Sequence, residues 1–228
     1  MKRKKKDLVE WLEFELLADI PGLVHGVFLK NTADATMREI LGVDTWTLPK
    51  ACHGATVLKA SEQAQVCDGL ITQETSRALA IRHADCQAAI FYDPVQRAIG
   101  NIHCGWRGNV QNIYAQAVLQ MQREFNSHPA DLLVCISPSL GPAAAEFKNY
   151  REEFPESFRR FQVQPNYFDL WEVSRQQLLE LGVLPHHIEI AGICTYSHPE
   201  DFCSYRLNKT SERNTTCVAL VSTQTTRI

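Results

Sequence analysis

Apolar residues recur along the chain with two spacings, one typical of helices and one typical of strands. Between residues 109 and 125 they recur every three or four positions, which places them on one face of a helix. Similar patterns predict helices over residues 7–18, in ATMREILG, and in LWEVSRQQLLELGV, which Gly182 and Pro185 end. Short apolar runs bounded by polar residues predict strands in LVHGVFL, ATVLKA, DGLIT, ALAIR, AAIFYD, RAIGNIH, LLVCIS and TTCVALV.

The order of these elements predicts the class of fold. Strands cluster together, and helices come before, between and after them, which favours a mixed α/β fold (α+β), a layered sandwich in which a mixed β-sheet is covered by helices. The 228 residues are 45% hydrophobic and show no internal repeat or low-complexity linker. We therefore predict a single domain over residues 1–228, in which residues 1–6 form a solvated basic tail.

Charge and hydropathy argue against several classes of function. The formal net charge is -3, and outside MKRKKK the acidic and basic residues are mixed, so no basic stripe is available for a nucleic acid. The carboxylates in DLVEWLEFELLAD are unlike the apolar region of a signal peptide. No segment approaches the roughly 18 apolar residues of a membrane helix. We expect a cytoplasmic protein that binds neither nucleic acid nor membrane.

The chain contains eight cysteines, a number that invites a disulfide interpretation. They lie mostly in strand-like segments, and no secretory signal places them in an oxidising compartment. We predict free thiols, most of them buried as small apolar side chains. The chain has no CxxC pair, which argues against a zinc ribbon or finger.

Polar chemistry is concentrated in three short segments, ACHGATV, IRHADCQAAIF and NIHCGWRGN. In each, a histidine or cysteine lies at the edge of an apolar strand, where a loop begins and side chains can converge. His53, Cys86 and His103 together would supply two imidazoles and one thiolate, which suit zinc and leave a fourth tetrahedral position for water or substrate. Each residue taken alone also fits an ordinary structural role in a loop or core.

The segment GWRG joins the strand that ends at His103 to the helix that follows. Its glycines allow backbone amides to approach a bound group closely, and we predict that the helix begins at Gly108 and Asn109. Unpaired amides at a helix N-terminus, with Arg107 beside them, form a site for an anion such as phosphate. The alternative is that Arg107 pairs with a structural carboxylate and the glycines only shape the turn.

An ordered set of short motifs runs through most of the chain, namely VHGVF, HGATV, DGLIT, ADC, HCGWRG, SPSLGP, FDLWEVSRQQLLELGV, ICT and FCSYR. On these motifs the sequence resembles the multicopper polyphenol oxidase-like proteins, also described as purine nucleoside phosphorylase/adenosine deaminase enzymes and, in bacteria, as peptidoglycan editing factors. The resemblance implies that His53, Cys86 and His103 are the shared metal and active-site residues. It also implies phosphate attack on C1′ of a purine nucleoside.

The sequence departs from the family pattern at three places. The Gly-Gly-rich loop that follows the first strand in the family is shortened, which affects the substrate contacts that this loop supplies. The ADC segment is preceded by His83 instead of threonine, and Cys104 stands where the family has alanine. We predict that both side chains pack in the core, since neighbours on a strand alternate faces and Cys104 should point away from His103.

Four functions use these residues in different ways. In the first, zinc on the three ligands orients phosphate or activates water for phosphorolysis or for deamination at the purine C6, with Asp85 as the nearest carboxylate to move a proton or orient a histidine. In the second, Cys86 is a nucleophile activated by His103 in a hydrolase or amidase that acts on peptidoglycan precursors. A laccase-type copper oxidase needs HxH pairs, and the eight histidines here form none. The fourth is a binding protein with a structural trio.

We predict a zinc-dependent purine nucleoside phosphorylase for adenosine, inosine or methylthioadenosine, with adenosine deaminase as a second activity and copper as the alternative metal. Tyr205 and Arg206 in FCSYR place an aromatic ring beside a guanidinium, which suits a purine base; the alternative is that the arginine pairs with a carboxylate and the tyrosine packs. Arg107, Gly108 and Asn109 complete the predicted substrate-binding residues. The expected partners are small molecules, a purine nucleoside and phosphate.

Overall fold

The computed structural model describes residues 1–61, 63 and 65–222. Within them the strands are β1 (Lys2–Lys6), β2 (Val9–Glu13), β3 (Leu23–Phe28), β4 (Thr45–Thr47), β5 (Val57–Lys59), β6 (Gly69–Thr72), β7 (Arg77–His83), β8 (Gln87–Asp93), β9 (Ala98–Cys104), β10 (Leu133–Ile136), β11 (Gln162–Gln164), β12 (Tyr167–Phe168), β13 (Ile188–Ile190) and β14 (Asn214–Leu220). The helices are α1 (Asp34–Leu41), α2 (Trp106–Val110), α3 (Ile113–Phe125), α4 (Tyr150–Glu153), α5 (Leu170–Glu180) and α6 (Tyr205–Asn208). Short 3₁₀ turns span Pro129–Asp131, Glu156–Phe161 and Pro185–His187.

Most strands belong to two six-stranded mixed sheets. One sheet has the order β1-β2-β3-β14-β7-β4 and the other the order β13-β10-β8-β9-β6-β5. The pairs β4–β7, β5–β6 and β10–β13 are parallel, and the other neighbours in these two sheets are antiparallel. The predicted mixed α/β sandwich in one domain is confirmed, with two sheets where a single one was expected.

The two sheets pack face to face, and helices cover their outer faces. Between the sheets, Leu79 and Val218 from the first meet Ile90 and Ile99 from the second in one buried apolar cluster. A second cluster packs α3 on the outer face of the β8–β9 sheet, and a third packs α1 on the outer face of the other sheet. Removal of these apolar surfaces from water on both faces of each sheet stabilises the four-layer arrangement.

Alternation of side chains along β9 carries the chain from the core to the edge of the sandwich. Asn101 is fully buried on the inner face, where its Nδ2 donates to the carbonyls of Leu79 at 2.9 Å and Thr216 at 2.8 Å in the other sheet. His103 continues this inner row at the end of the strand. Cys104 lies in the cluster on the α3 side, which confirms that it points away from His103.

The N-terminal segment is a β-hairpin, so the predicted helix over residues 7–18 is wrong. Residues 2–6 are exposed to solvent, as predicted, but form a strand instead of a tail. β1 pairs with β2 in antiparallel register. The guanidinium of Arg3 and the ammonium of Lys5 lie 2.9 Å and 3.3 Å from the carboxylate of Glu10 on the opposite strand. Cross-strand pairs of opposite charge stabilise a hairpin, and they explain why a run of basic residues forms an ordered strand here.

The helix predicted over residues 109–125 is divided into α2 and α3. The break lies at Asn112, which has a φ of 51° and accepts a hydrogen bond on its side chain from the N–H of Ala115. Asparagine tolerates the left-handed conformation and is a favourable N-cap, so the residue starts a new helix in a new direction. The predicted start at Gly108 and Asn109 is wrong, because α2 begins before both of them.

The other predicted strands and helices are present, and the predictions about buried thiols and His83 are confirmed. All eight cysteines are free, and five of them are buried. His83 is 1% exposed, and its Nε2 lies 2.9 Å from the hydroxyl of Thr216. Among the helices of the described residues, none combines the length and apolar character needed to cross a membrane.

Candidate metal centre

Three side chains from separate segments converge at one end of the sandwich. His103 is near the end of β9, Cys86 directly precedes the paired strand β8, and His53 lies in the loop before β5. Their ligand atoms all lie within 4.8 Å of one another. The two imidazole rings stand edge to face, with centroids 5.0 Å apart and an angle of 86° between their planes. The structure therefore brings together the three residues that the sequence indicated as ligands.

The backbone passes so close to these side chains that a Cβ at position 105 would be in tight contact with them. A Cβ on Gly105 would lie 3.0 Å from the Sγ of Cys86 and 3.3 Å from Cδ2 of His53. The close approach is made by a residue that directly follows β9 and precedes α2. His53 itself has a φ of 59°, in the left-handed region that non-glycine residues seldom adopt. Such backbone conformations cluster at functional sites.

Asp68 lies beneath the site and was missed by the sequence analysis. It is fully buried, and its Oδ1 lies 2.9 Å from Nδ1 of His103. The same carboxylate accepts hydrogen bonds from the backbone N–H of His53 at 2.9 Å and Gly54 at 2.8 Å and from the thiol of Cys52 at 3.1 Å. Because a carboxylate only accepts hydrogen bonds, Nδ1 of His103 carries a proton and Nε2 is left for a metal.

The sequence contained a weak signal for Asp68. The aspartate stands directly before β6 in the motif DGLIT, where a loop meets an apolar strand. It is separated from His103 by 35 positions, and the contact exists because β6 and β9 are neighbours in the sheet. Strand order was not predicted, so this contact was not predictable either.

Charges at the site shift one another's pKa. Burial raises the pKa of the Cys86 thiol, but hydrogen bonds from His103 and His53 outweigh it and bring the pKa down to about 7. Burial lowers the pKa of His103, whereas Asp68 and the Cys86 thiolate raise it to about 9. Burial also disfavours ionisation of Asp68, yet the hydrogen bond from His103 helps hold its pKa well below the usual range. The trio without metal therefore offers a thiolate at neutral pH, as metal ligation requires.

A cavity of about 680 Å³ opens at the trio. Its size is in the range of small-molecule sites. The cationic residues of its lining are Arg82, Arg107, Arg206, Lys209 and Arg213, and the acidic ones are Asp85 and Glu153. Aromatic residues Trp106, Phe147 and Tyr205 also line it. This excess of positive charge beside aromatic surface suits a ligand that combines an anion with an aromatic ring.

Asp85 lines the cavity, but both of its carboxylate oxygens already accept hydrogen bonds. Oδ1 accepts from the hydroxyls of Thr195 at 2.8 Å and Ser204 at 2.7 Å, and Oδ2 accepts the backbone N–H of Arg206. The carboxylate thus ties the turn after β7 to the start of α6. This geometry favours a positioning role over the transfer of a proton.

Three predicted substrate residues face the cavity. The guanidinium of Arg107 lies over the ring of Trp106, 4.0 Å from its centroid, and forms no ion pair with any residue that the structure describes. Tyr205 is 50% exposed at the cavity wall. Arg206 donates from Nη1 to two backbone carbonyls in the loop before α4, at 3.2 Å and 2.9 Å. Its guanidinium therefore holds the loop instead of pairing with a carboxylate.

Gly108 and Asn109 are not among the residues that line the cavity. Nδ2 of Asn109 donates to Oγ of Ser174 at 2.9 Å and to Oε1 of Gln177 at 3.3 Å, which joins α2 to α5. Its backbone N–H donates to the carbonyl of Gly105 at 3.1 Å and is not available to an anion. Gly108 is buried as well. The hydrogen bonds of Asn109 argue against an anion contact by that residue, and the contact by Gly108 stays a prediction.

Known proteins similar to this chain cover most of its length. The family model for multi-copper polyphenol oxidoreductase laccase matches residues 29–221. A purine nucleoside phosphorylase of Bacteroides thetaiotaomicron is 36% identical over 67% of this chain and 62% of its own length, so the matched part covers less than two thirds of that protein. The purine nucleoside phosphorylase YlmD of Bacillus subtilis is 30% identical over 89% of this chain and 73% of its own length.

Solved structures share the fold. The crystal structure of YlmD from Geobacillus stearothermophilus superposes with a TM-score of 0.84 at 23% identity, covering 96% of this chain and 99% of that chain. Bacillus licheniformis hypothetical protein YfiH gives a TM-score of 0.77 at 23% identity, covering 89% and 97%. The family match over residues 29–221 and the identity to the Bacillus subtilis protein show that the chain belongs to the multi-copper polyphenol oxidoreductase laccase family, as its motifs predicted.

Proposed function

We propose that the chain is a zinc-dependent purine nucleoside phosphorylase that acts on adenosine, inosine or methylthioadenosine. The observation that carries this proposal is the convergence of His53, Cys86 and His103 in a cavity lined by cationic and aromatic side chains. The names of the relatives from Bacteroides thetaiotaomicron and Bacillus subtilis support the same activity. Fold alone would not, because one fold can host many functions.

The residues present fit a zinc ion. His53 and His103 offer imidazole nitrogens, Cys86 offers a thiolate, and the cavity leaves room for a fourth ligand. Asp68 fixes His103 with Nε2 free, which is the arrangement that metal-binding histidines usually have. When bound at such a site, zinc supplies Lewis acidity and lowers the pKa of a water ligand to about 7. The same donors suit copper, so metal analysis must identify the ion.

Phosphorolysis assigns distinct tasks to the residues around the trio. A phosphate oxygen bonds to C1′ of the nucleoside while the bond from C1′ to the purine nitrogen breaks, and the purine leaves with a proton. Arg107, exposed and without an ion-pair partner among the described residues, holds the phosphate. Tyr205 provides a stacking surface for the base. Asp85 and Arg206 keep the Tyr205 segment in place through their hydrogen bonds.

A cysteine hydrolase is the second candidate, and one observation favours it. The thiol of Cys86 has a pKa of about 7 beside His103, which is the arrangement of an activated nucleophile. A metal on the thiolate would block that role, so the two candidates differ in whether the active protein holds metal. Adenosine deamination is a further activity of the first candidate, since an activated water can attack the purine C6.

The test is release of hypoxanthine from inosine with and without phosphate. We expect release that requires phosphate and that Cys86→Ala abolishes. Cys217→Ala is the matched control, because Cys217 is a buried thiol in β14 outside the cavity lining, and we expect it to retain activity. Release of base without phosphate, or undiminished activity in Cys86→Ala, would contradict the proposal. Ammonia release from adenosine in the same samples measures the deaminase activity.

A further inference from the structure

One buried carboxylate holds two of the three ligand segments together. Oδ1 of Asp68 lies 2.9 Å from Nδ1 of His103 and accepts the N–H of His53 at 2.9 Å. Oδ2 accepts the N–H of Gly54 at 2.8 Å and lies 3.3 Å from the backbone nitrogen of Cys52. The backbone carbonyl of Asp68 also accepts the N–H of His103 at 2.6 Å. The end of β9 and the loop that carries His53 are thus joined through a single side chain.

Only an ionised carboxylate satisfies this arrangement. The groups around Asp68 are all donors, comprising an imidazole N–H, three backbone N–H groups and the thiol of Cys52. An asparagine amide has one acceptor oxygen and an NH₂ group that only donates. Whichever way it is turned, its NH₂ group faces either the imidazole or the loop amides. A buried donor left without an acceptor has lost its hydrogen bond to water without gaining another, which destabilises the arrangement.

We propose that Asp68 is the positioning residue of the metal centre, setting the tautomer and orientation of His103 and the place of His53. This inference rests on the proposed function, because it assumes that the trio binds metal. Asp68 lies beneath the ligands, outside the residues that line the cavity, so it acts through the histidines. Loss of the carboxylate reduces zinc affinity by about 10- to 100-fold, as is typical for partners of ligating histidines.

The chain offers a matched control in Asp93. It is also fully buried, and its Oδ1 accepts the backbone N–H groups of Val95 at 2.8 Å and Gln96 at 2.9 Å in the turn between β8 and β9. Asp68→Asn and Asp93→Asn therefore both replace a buried carboxylate that organises a loop. Only the first removes the acceptor of a metal-ligating histidine.

The experiment measures zinc affinity by competition with a chromophoric chelator and records the visible spectrum of the Co²⁺-loaded proteins. We expect Asp68→Asn to lose zinc affinity by at least tenfold and to change the Co²⁺ ligand-field bands, while Asp93→Asn matches the wild type in both. Equal affinity and spectra for Asp68→Asn and wild type would overturn the inference. Wild-type protein that binds neither Zn²⁺ nor Co²⁺ would overturn the proposed metal centre and the inference with it.

A second measurement needs no variant and holds even if Asp68→Asn does not fold. In the zinc-loaded wild type, ¹⁵N NMR of the histidine side chains is expected to show His103 coordinated through Nε2, with a proton retained on Nδ1. Coordination through Nδ1 would overturn the inference, since Asp68 would then face a ligating nitrogen. The readout is independent of nucleoside turnover.

Discussion

At the scale of single residues, the site depends on atoms that approach one another unusually closely. Gly105 passes beside the Cys86 thiol, and Asp68 lies between His103 and the loop of His53. These contacts fix where the ligand atoms lie before any metal binds. Preorganisation of this kind reduces the entropy that a bound ion or substrate must lose.

Gly105→Ala is expected to lower the zinc content of the purified protein without unfolding it. The added Cβ would lie 3.0 Å from the Sγ of Cys86, so the thiol must shift by a few tenths of an ångström from its place in the trio. Gly54→Ala is the control in the same site, because its Cβ would meet Asp68 and Cys52 at an ordinary 3.5 Å. Zinc stoichiometry of the two variants checks the prediction, and full zinc binding by Gly105→Ala would contradict it.

Removal of the metal is expected to make Cys86 the most reactive cysteine of the chain at neutral pH. Its pKa is lowered to about 7, so the thiolate forms as the pH rises through 7. Cys52 is more exposed, but the hydrogen bond to Asp68 raises its pKa. Mass spectrometry after brief alkylation of chelator-treated protein should find Cys86 modified first, and added zinc should protect it. Preferential labelling of Cys52 would count against this account.

At the scale of elements, the sequence predicted most strands and helices but not the partners that the strands take. Apolar periodicity was sufficient to predict β3, β8, β9 and α5, since the buried residues of each element form one uninterrupted pattern in the sequence. It was wrong for residues 7–18, because β2 forms by pairing with the basic strand β1, and apolar periodicity carries no information about that pairing. Asp68 was missed for the same reason. Ligand types can be recognised locally, whereas the groups that orient them come from neighbouring strands.

Protonation of the buried His25 in β3 is expected to make the stability of the protein depend on pH. Burial lowers its pKa from 6.5 to about 4, and its Nε2 accepts the N–H of Phe14 at 2.8 Å. The unfolded chain therefore binds a proton that the folded chain excludes between these values. The stabilisation is fully present above pH 6.5 and is lost as the pH falls toward 4. It amounts to about 3 kcal/mol at 1.36 kcal/mol per pH unit.

Urea unfolding of wild type, His25→Gln and His128→Gln from pH 7.5 to 4.5 checks this. In His25→Gln the unfolding free energy should fall less steeply as the pH drops below 6.5. Replacement of the exposed His128 should leave the dependence of unfolding free energy on pH as it is in the wild type. His83, whose pKa burial lowers to about 3, adds a similar dependence that persists in both variants. An identical slope in wild type and His25→Gln would disprove the assignment to His25.

The contact between α2 and α5 separates structural from substrate roles. Asn109→Ala removes hydrogen bonds to Ser174 and Gln177 in the core, and we expect a loss of about 1–3 kcal/mol in unfolding free energy with an unchanged KM for phosphate.

Arg107→Ala should leave stability unchanged and raise the KM for phosphate about tenfold, which corresponds to ~1.4 kcal/mol. Thermal unfolding of the Asn109→Ala and Arg107→Ala variants measures the change in stability, and their phosphate kinetics measure the change in KM. A raised KM in folded Asn109→Ala would restore its predicted substrate role.

At the scale of the whole molecule, the sandwich places its chemistry at an open end. The paired sheets bury the apolar faces of their strands, and strand ends and loops meet at this edge, where polar side chains reach a cavity. The trio was predictable from ligand types and motif resemblance, whereas the cationic lining from Arg82, Lys209 and Arg213 was not, because it depends on which strand ends and loops the fold brings to one cavity. The family match and the shared fold are consistent with this arrangement.

Metal content is the measurement that tests the central claim most directly. Protein purified without added metal is analysed by inductively coupled plasma mass spectrometry for wild type, Cys86→Ala and Cys217→Ala. We expect about one zinc ion per chain in wild type and Cys217→Ala and none in Cys86→Ala, as one three-ligand site requires. Metal-free wild type that nevertheless releases hypoxanthine from inosine, or equal zinc in Cys86→Ala, would contradict it.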